Sequence, residues 1–249
     1  MIILKSPEEI EKIAQSCRIV AKTIDAIKLM VRPGLTTVEI ERFADAHVRE
    51  QGGEPAFKGY RGYPASICTS INNEVIHGIP SKRILEDGDI LSVDIGVYKD
   101  GFYGDGAVTI PVGRIAPGLE RLLEVTEESL YIGIGSARVG NRVSDISYAI
   151  QSHVESNGFS VVRAFVGHGI GRELHEDPQI PNFGLPGQGP RLREGMTLAI
   201  EPMVNLGGYE VLILNDGWTA VTADGKPSAH FEHTILVTSK EPEILTKSK

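Results

Sequence analysis

Apolar residues recur at helical spacing in four stretches of the chain, and alternate with polar ones in the stretches between. Ile10, Ile13, Cys17, Val20, Ile24 and Ile27 form the first stripe, which predicts an amphipathic helix with the Cys17 thiol on its core face. Ser6-Pro7-Glu8-Glu9 supplies its start, with Ser6 as N-cap, Pro7 at the first helical position and Glu9 closing a capping box. Arg32-Pro33-Gly34 ends it. Thr36 or Thr37 caps a second helix whose inner face is Ile40, Phe43, Ala44 and His47/Val48, closed by Gly52-Gly53. His47 reads as a boundary residue of that helix. Leu119–Ile134 is a third amphipathic helix, ended by Arg138-Val139-Gly140, and a fourth follows it.

Residues 90–98 alternate. Leu91, Val93, Ile95 and Val97 fall on one face, and Ile90, Ser92, Asp94, Gly96 and Tyr98 on the other. A Lys99-Asp100-Gly101 turn leads into a second strand through Val108, Thr109 and Ile110, making a hairpin. Pairing Tyr98 with Gly101 across a two-residue turn puts Asp94 directly opposite Asp105, with Cβ atoms roughly 4.5–5.5 Å apart. A three-residue turn makes them diagonal neighbours. Two like charges so close need compensation by a cation, unless they are unrelated members of a solvated face.

The plan repeats. Arg32, Gly34, Ile40, His47-Val48 and Gly52 match Arg138, Gly140, Ile146, His153-Val154 and Gly158 at one constant offset, 138 − 32 = 106. Gly88–Asp94 lines up with Gly195–Glu201, which puts a glutamate where Asp94 stands. Asp105–Ile110 aligns less closely with Glu232–Ile235, so an acidic pair occurs once as Asp/Asp and once as Glu/Glu. If the halves pack about a pseudo-two-fold axis, four carboxylates converge at its centre. Between the second helix pair and Glu201 lies Phe165-Val166-Gly167-His168-Gly169-Ile170-Gly171, a glycine-rich loop around a histidine, with His175 close behind and an echo in His77-Gly78-Ile79-Pro80. Tyr209–Val221 reads as an inserted hairpin turned at Asn215-Asp216-Gly217, with Trp218 just after the turn.

Composition narrows the class. The 249 residues are 41% hydrophobic and 23% charged, as in an ordinary globular protein with a substantial core. A net charge of −8 argues against general nucleic-acid or anionic-membrane binding. Cys17 and Cys68 form no CxxC pair, which fits a reducing cytoplasm, and no stretch reaches the length of a membrane span. Phosphate-loop and nucleophile-elbow motifs are missing, and Cys68, among strand-like neighbours, reads as a lining residue and not as a nucleophile.

Carboxylates with one histidine suit hard or borderline divalent ions such as Mn, Fe(II), Co or Zn. Five protein ligands exceed the needs of one ordinary zinc, whereas a two-metal hydrolytic centre accommodates them.

At these residues the chain resembles the type I methionine aminopeptidases, metallopeptidases of the pita-bread fold. The likeness runs through FKGYRGYPASICTSINNEVIHGIP, VDIGVYKDGFYGD, VGHGIGRELHEDP, AIEPMV, DGWTAVTADG and AHFEHTILVT, in the family order. It implies an α/β (α+β) fold of two pseudo-two-fold-related halves, each with two helices on an antiparallel sheet. One catalytic domain over residues 1–249 would comprise repeats at about 6–115 and 118–240. The metal ligands implied are Asp94, Asp105, His168, Glu201 and Glu232, with Asp105 and Glu232 bridging two ions. Asp94 completes the site nearer the substrate amine, and His168 and Glu201 complete the other.

The resemblance further implies removal of the initiator methionine from nascent proteins, by attack of a metal-bridged hydroxide on the first peptide bond. Glu201 would assist deprotonation, while His77 and His175 contact substrate and tetrahedral intermediate. Tyr60, Tyr63, Cys68, Leu174 and Trp218, with Phe57 nearby, would line the methionine pocket. The partners expected are nascent polypeptides and the ribosome, met by a cytoplasmic monomer with no membrane or nucleic-acid specificity. Leu174 stands where many members carry phenylalanine, Tyr103 where histidine is common, and Gly106-Ala107 where a hydroxyl residue is usual, so pocket shape and hydrogen bonding should differ. The other reading, a silent relative serving as a ribosome-associated binding module, conflicts with five intact ligands.

Overall fold

The computed structural model describes residues 1–248. Helix α1 spans Pro7–Met30 and carries the expected capping box, with the Ser6 side chain accepting from Glu9 N and the Glu9 carboxylate accepting from Ser6 N. Helix α2 spans Thr37–Glu50 with Thr36 at its N-cap. Helices α3 and α4 span Pro117–Ser136 and Val143–Ser156. Adding the offset of 106 to the bounds of α2 returns those of α4 (37 + 106 = 143; 50 + 106 = 156). Cys17 is fully buried beneath α1, and burial pushes its thiol up to about 12. His47 is half-buried, its Nδ1 3.0 Å from the Thr23 hydroxyl.

The first half is built on one long hairpin. Ile90–Lys99 pairs with Phe102–Pro111 over its whole length, and its other edge takes Cys68–Ile71 and Glu54–Pro55. Helix α1 packs on both hairpin strands. Leu91, Val93, Ile95 and Val97 are buried in the main core, as their alternation requires. In the second half a five-stranded sheet runs Glu243–Ile244, His233–Leu236, Thr197–Ile200, Val166–Gly169, Glu176–Pro181. The long excursion between Ile200 and His233 includes the expected hairpin, whose Val211–Ile213 pairs with Ala220–Thr222.

The long hairpin corrects the expected register. Its turn is Asp100-Gly101, both left-handed (φ 49° and 86°), so Lys99 pairs with Phe102. A two-residue turn of this kind needs positive φ at both positions, which Asp-Gly accepts and Lys-Asp does not. The shift puts Asp94 opposite Ala107 and Asp105 opposite Gly96. The two aspartates share a face as diagonal neighbours.

The halves meet where the Phe102–Pro111 strand runs antiparallel beside residues 230–234. Ala107 and Glu232 exchange both backbone bonds, at 3.4 and 2.9 Å. On either side a threonine hydroxyl stands in for the ladder. Thr109 Oγ1 accepts from His230 N and donates to His230 O, both at 2.8 Å. Thr234 Oγ1 accepts from Asp105 N at 3.1 Å and donates to Asp105 O at 2.8 Å. This local two-fold maps Thr109 onto Thr234 and Ala107 onto Glu232, so the expected equivalence of Asp105 with Glu232 does not hold. Asp105 corresponds to His230.

Candidate metal centre and pocket

Four carboxylates and one imidazole line one end of a cavity of about 420 Å³: Asp94, Asp105, Glu201, Glu232 and His168. Strand pairing delivers them. Asp94 and Asp105 project from the same face of the long hairpin. Glu201 follows the Thr197–Ile200 strand and Glu232 precedes His233–Leu236; since Ile200 pairs with His233, the two glutamates face each other where those strands open. His168 pairs with Ala199 on the neighbouring strand. Cys68–Ile71 flanks the first hairpin as Val166–Gly169 flanks Thr197–Ile200, and Ser70 there pairs with Ser92. Ser70 is therefore the first-half counterpart of His168, and the sequence echo at His77 is not a structural one.

The centre is tight and short of positive charge. Ligand atoms of Asp105, His168 and Glu232 all lie within 4.8 Å of one another, and all three residues are buried. His168 Nε2 is 3.4 Å from Glu201 Oε1 and 4.0 Å from Asp105 Oδ2. Its Nδ1 lies 2.9 Å from Gly169 O; a proton assigned there leaves Nε2 as a lone pair aimed at the carboxylates. Asp94 Oδ1 and Glu232 Oε1 are buried without a partner, and among the described residues no Lys or Arg pairs with any of the four acids.

Burial pushes the Asp94 carboxyl up to about 7. Burial, with repulsion from its acidic neighbours, raises Asp105, Glu201 and Glu232 well above the carboxylate range. Burial lowers His168 to about 4. Orphaned buried oxygens, uncompensated carboxylates and a neutral imidazole form a donor set that fits divalent cations.

Beside the acids the cavity is lined by Phe57, Tyr60, Tyr63, Cys68, Leu174 and Trp218, which form one apolar cluster with Ala65, Ile79 and Ile170. Cys68 is the strand partner of Asp94, so the pocket opens directly onto the acidic cluster. Gly96, opposite Asp105, makes room for Phe57, whose ring would lie 2.4 Å from a Cβ placed there. The Tyr63 hydroxyl donates to Gly78 O at 2.9 Å, and its ring meets Trp218 edge-on at 5.1 Å. Asp216 fixes Trp218 at the hairpin turn by accepting from the Trp218 and Thr219 amides. Cys68 is buried, its thiol raised by burial and by Asp94, which makes it a wall and not a nucleophile.

Two histidines stand at the mouth. His77 has a left-handed backbone (φ 60°) and meets Phe165 and Trp218 edge-on; burial lowers it to about 4. His175 stacks on Tyr60 at 5.3 Å, with the Tyr60 hydroxyl 2.8 Å from its Nδ1, and lies 4.2 Å from the His168 ring. Desolvation, then His168, Arg61 and His77, push His175 down. Phe165 was not among the expected pocket residues, yet it lines the cavity. Its signal was position alone, three residues ahead of His168.

An apolar pocket ending in an acidic metal-binding cluster, on two pseudo-symmetric halves, defines a metallopeptidase of the pita-bread fold. The chain matches metallopeptidase family M24 over residues 11–239, and it belongs to that family. It is 55% identical to a methionine aminopeptidase of Clostridium perfringens, covering 100% of both chains. A solved methionine aminopeptidase from Thermotoga maritima superposes with a TM-score of 0.98 at 49% identity, again over 100% of both. A prolidase from Pyrococcus furiosus has a TM-score of 0.82 at 24% identity, covering 99% of this chain and 66% of that one, which is a likeness of fold.

Proposed function

We propose that this protein removes the N-terminal methionine from newly made polypeptides. The carrying observation is the junction at Cys68 and Asp94, where an apolar pocket suited to a thioether side chain meets buried carboxylates. Fully burying a methionine side chain contributes about 1.5–3 kcal/mol, enough to select it over small residues. The full-length relatives support the reading.

Asp94, Asp105, His168, Glu201 and Glu232 would hold two divalent ions, among Co, Mn, Fe(II) and Zn. Such ions supply Lewis acidity at the scissile carbonyl and lower the pKa of water. Glu201 takes the proton of the attacking water. His77 and His175 are neutral at pH 7 and act as hydrogen-bond donors. With Tyr60 donating to Nδ1 of His175, its Nε2–H is free to meet the developing oxyanion. Tyr60, Tyr63, Cys68, Leu174 and Trp218 hold the methionine side chain. The same proposal sets the work in the cytoplasm, by a monomer acting on chains leaving the ribosome, with which the free Cys17 and Cys68 thiols agree.

Metal analysis combined with methionine release from Met-Ala-Ser and Met-Lys-Ser peptides tests the proposal. Release from the first peptide and stoichiometric metal are expected. No release with any of Co, Mn, Fe(II) or Zn would sink it.

A further inference from the structure

The loop that carries Leu174 and His175 is not held by the sheet alone. Glu176 Oε1 turns back to accept from the Arg172 amide at 2.8 Å and the Glu173 amide at 3.3 Å, closing the loop on itself. Its other oxygen is bound by the Lys5 ammonium, which also donates to Ile3 O at 3.2 Å. This pair is buried, with side-chain exposures of 3% for Lys5 and 9% for Glu176. Gly171 lets the lysine through: a Cβ there would lie 2.4 Å from Lys5 Cε and 2.7 Å from Glu176 Oε1. Lys5 N donates to Gly195 O at 2.9 Å, just before the strand that leads to Glu201. Arg172 in turn reaches Glu9 at the start of α1, at 2.9 Å.

A buried ion pair is weak as a source of stability, because desolvation offsets most of its attraction. What this one provides is a fixed distance. We infer that Lys5 is a positioning residue, through which the segment ahead of α1 sets the place of His175 and Leu174 in the substrate site. The inference rests on the reading of His175 as a substrate-contacting group. It makes the chain's first residues part of the site's machinery although none of them touches the cavity.

The test uses the full chain loaded with Co(II), with kcat and KM measured on Met-Ala-Ser beside metal content, thermal midpoint and amide exchange. Lys5→Met should keep its metal, lose about 10²-fold in kcat/KM as expected for a misplaced catalytic group, and speed exchange at the Arg172 and Glu173 amides. Lys5→Met/Glu176→Gln removes the unpaired buried charge and should recover the thermal midpoint without recovering kcat/KM. A double variant that regains both would reduce the pair to a structural role and overturn the inference. So would an unaltered kcat/KM in Lys5→Met while His175→Ala is inactive. Undiminished turnover in His175→Ala would overturn the reading of His175 itself, and the inference with it.

Discussion

The Ile90–Lys99/Phe102–Pro111 hairpin and its counterpart around Glu201 and Glu232 each deliver two carboxylates to the centre, by different means. In the first half the acids sit inside continuous strands joined by a two-residue turn, and they are diagonal. In the second they sit where the strands have just ended, face to face, with residues 202–231 between them carrying the hairpin that presents Trp218. One half fixes its ligands by ladder. The other opens its ladder at the ligands and uses the released chain to build a pocket wall. The backbone is repeated and so is the position shared by Asp94 and Glu201, but the second acid of each half is not, since Glu232 stands where the first half has Ala107.

If both halves supply ligands of equal weight, removing one from either should be equally damaging. Asp105→Asn and Glu201→Gln are each expected to lower kcat/KM by about 10³-fold or more, the scale on which metal-assisted charge stabilisation acts. A variant of either half that keeps its turnover and metal content would break the equivalence.

Next comes the pH dependence of the metal-free protein. The folded pKa of Asp94 is raised to about 7, and those of Asp105, Glu201 and Glu232 are raised well above the ordinary carboxylate range. The native state therefore binds more protons than the unfolded chain above pH ~4, and these groups remove stability as pH rises. The depressed His77, His168 and His233 (about 4) and His230 (about 3) act oppositely, adding stability up to pH ~6.5 and nothing beyond. The thermal midpoint of the apoprotein should therefore fall as the pH rises past about 6.5, where the histidine gain has ended, and Mn(II) should cancel the fall. A flat apoprotein profile would mean the acids are compensated within the chain.

Smaller effects separate the halves. Trp218→Ala should raise KM by about tenfold, with little change in thermal midpoint, because it opens one pocket wall at a half-exposed site. Gly101→Ala should do the reverse, costing about 1 kcal/mol of stability at a left-handed position and leaving KM alone. Exchanged outcomes would show that the Asp100-Gly101 turn, and not the hairpin that carries Trp218, sets methionine binding.

Much of this was written in the chain. Pro7, Arg32-Pro33-Gly34 and Arg138-Val139-Gly140 bound the helices, and the offset of 106 carries α2 onto α4 residue for residue. All five expected ligands converge on one cavity. What stayed hidden depended on register and on distance. A turn one residue later moves Asp94 from opposite Asp105 to opposite Ala107, and nothing in the alternation distinguishes the two. The Thr-Ile match that pairs Thr109 with Thr234 was present in the sequence, but it competes with the tempting alignment of acid with acid. Lys5, four residues from the start, has the composition of a surface residue, and only the fold reveals that Gly171 and Glu176 enclose it. Phe165 likewise gains its meaning from His77, far away in the chain.

The paired hydroxyls of Thr109 and Thr234 have one more consequence. Each binds the strand opposite, and each is the image of the other about the Ala107–Glu232 pair. That is the signature of an isologous contact, in which one patch meets a second copy of itself. The seam is what two identical half-length chains would leave behind had they met as a symmetric dimer before fusion. In such an ancestor the catalytic acids would lie at the subunit boundary. Joining the two copies freed each to change alone, so the first could keep a two-residue turn while the second added the hairpin that carries Trp218.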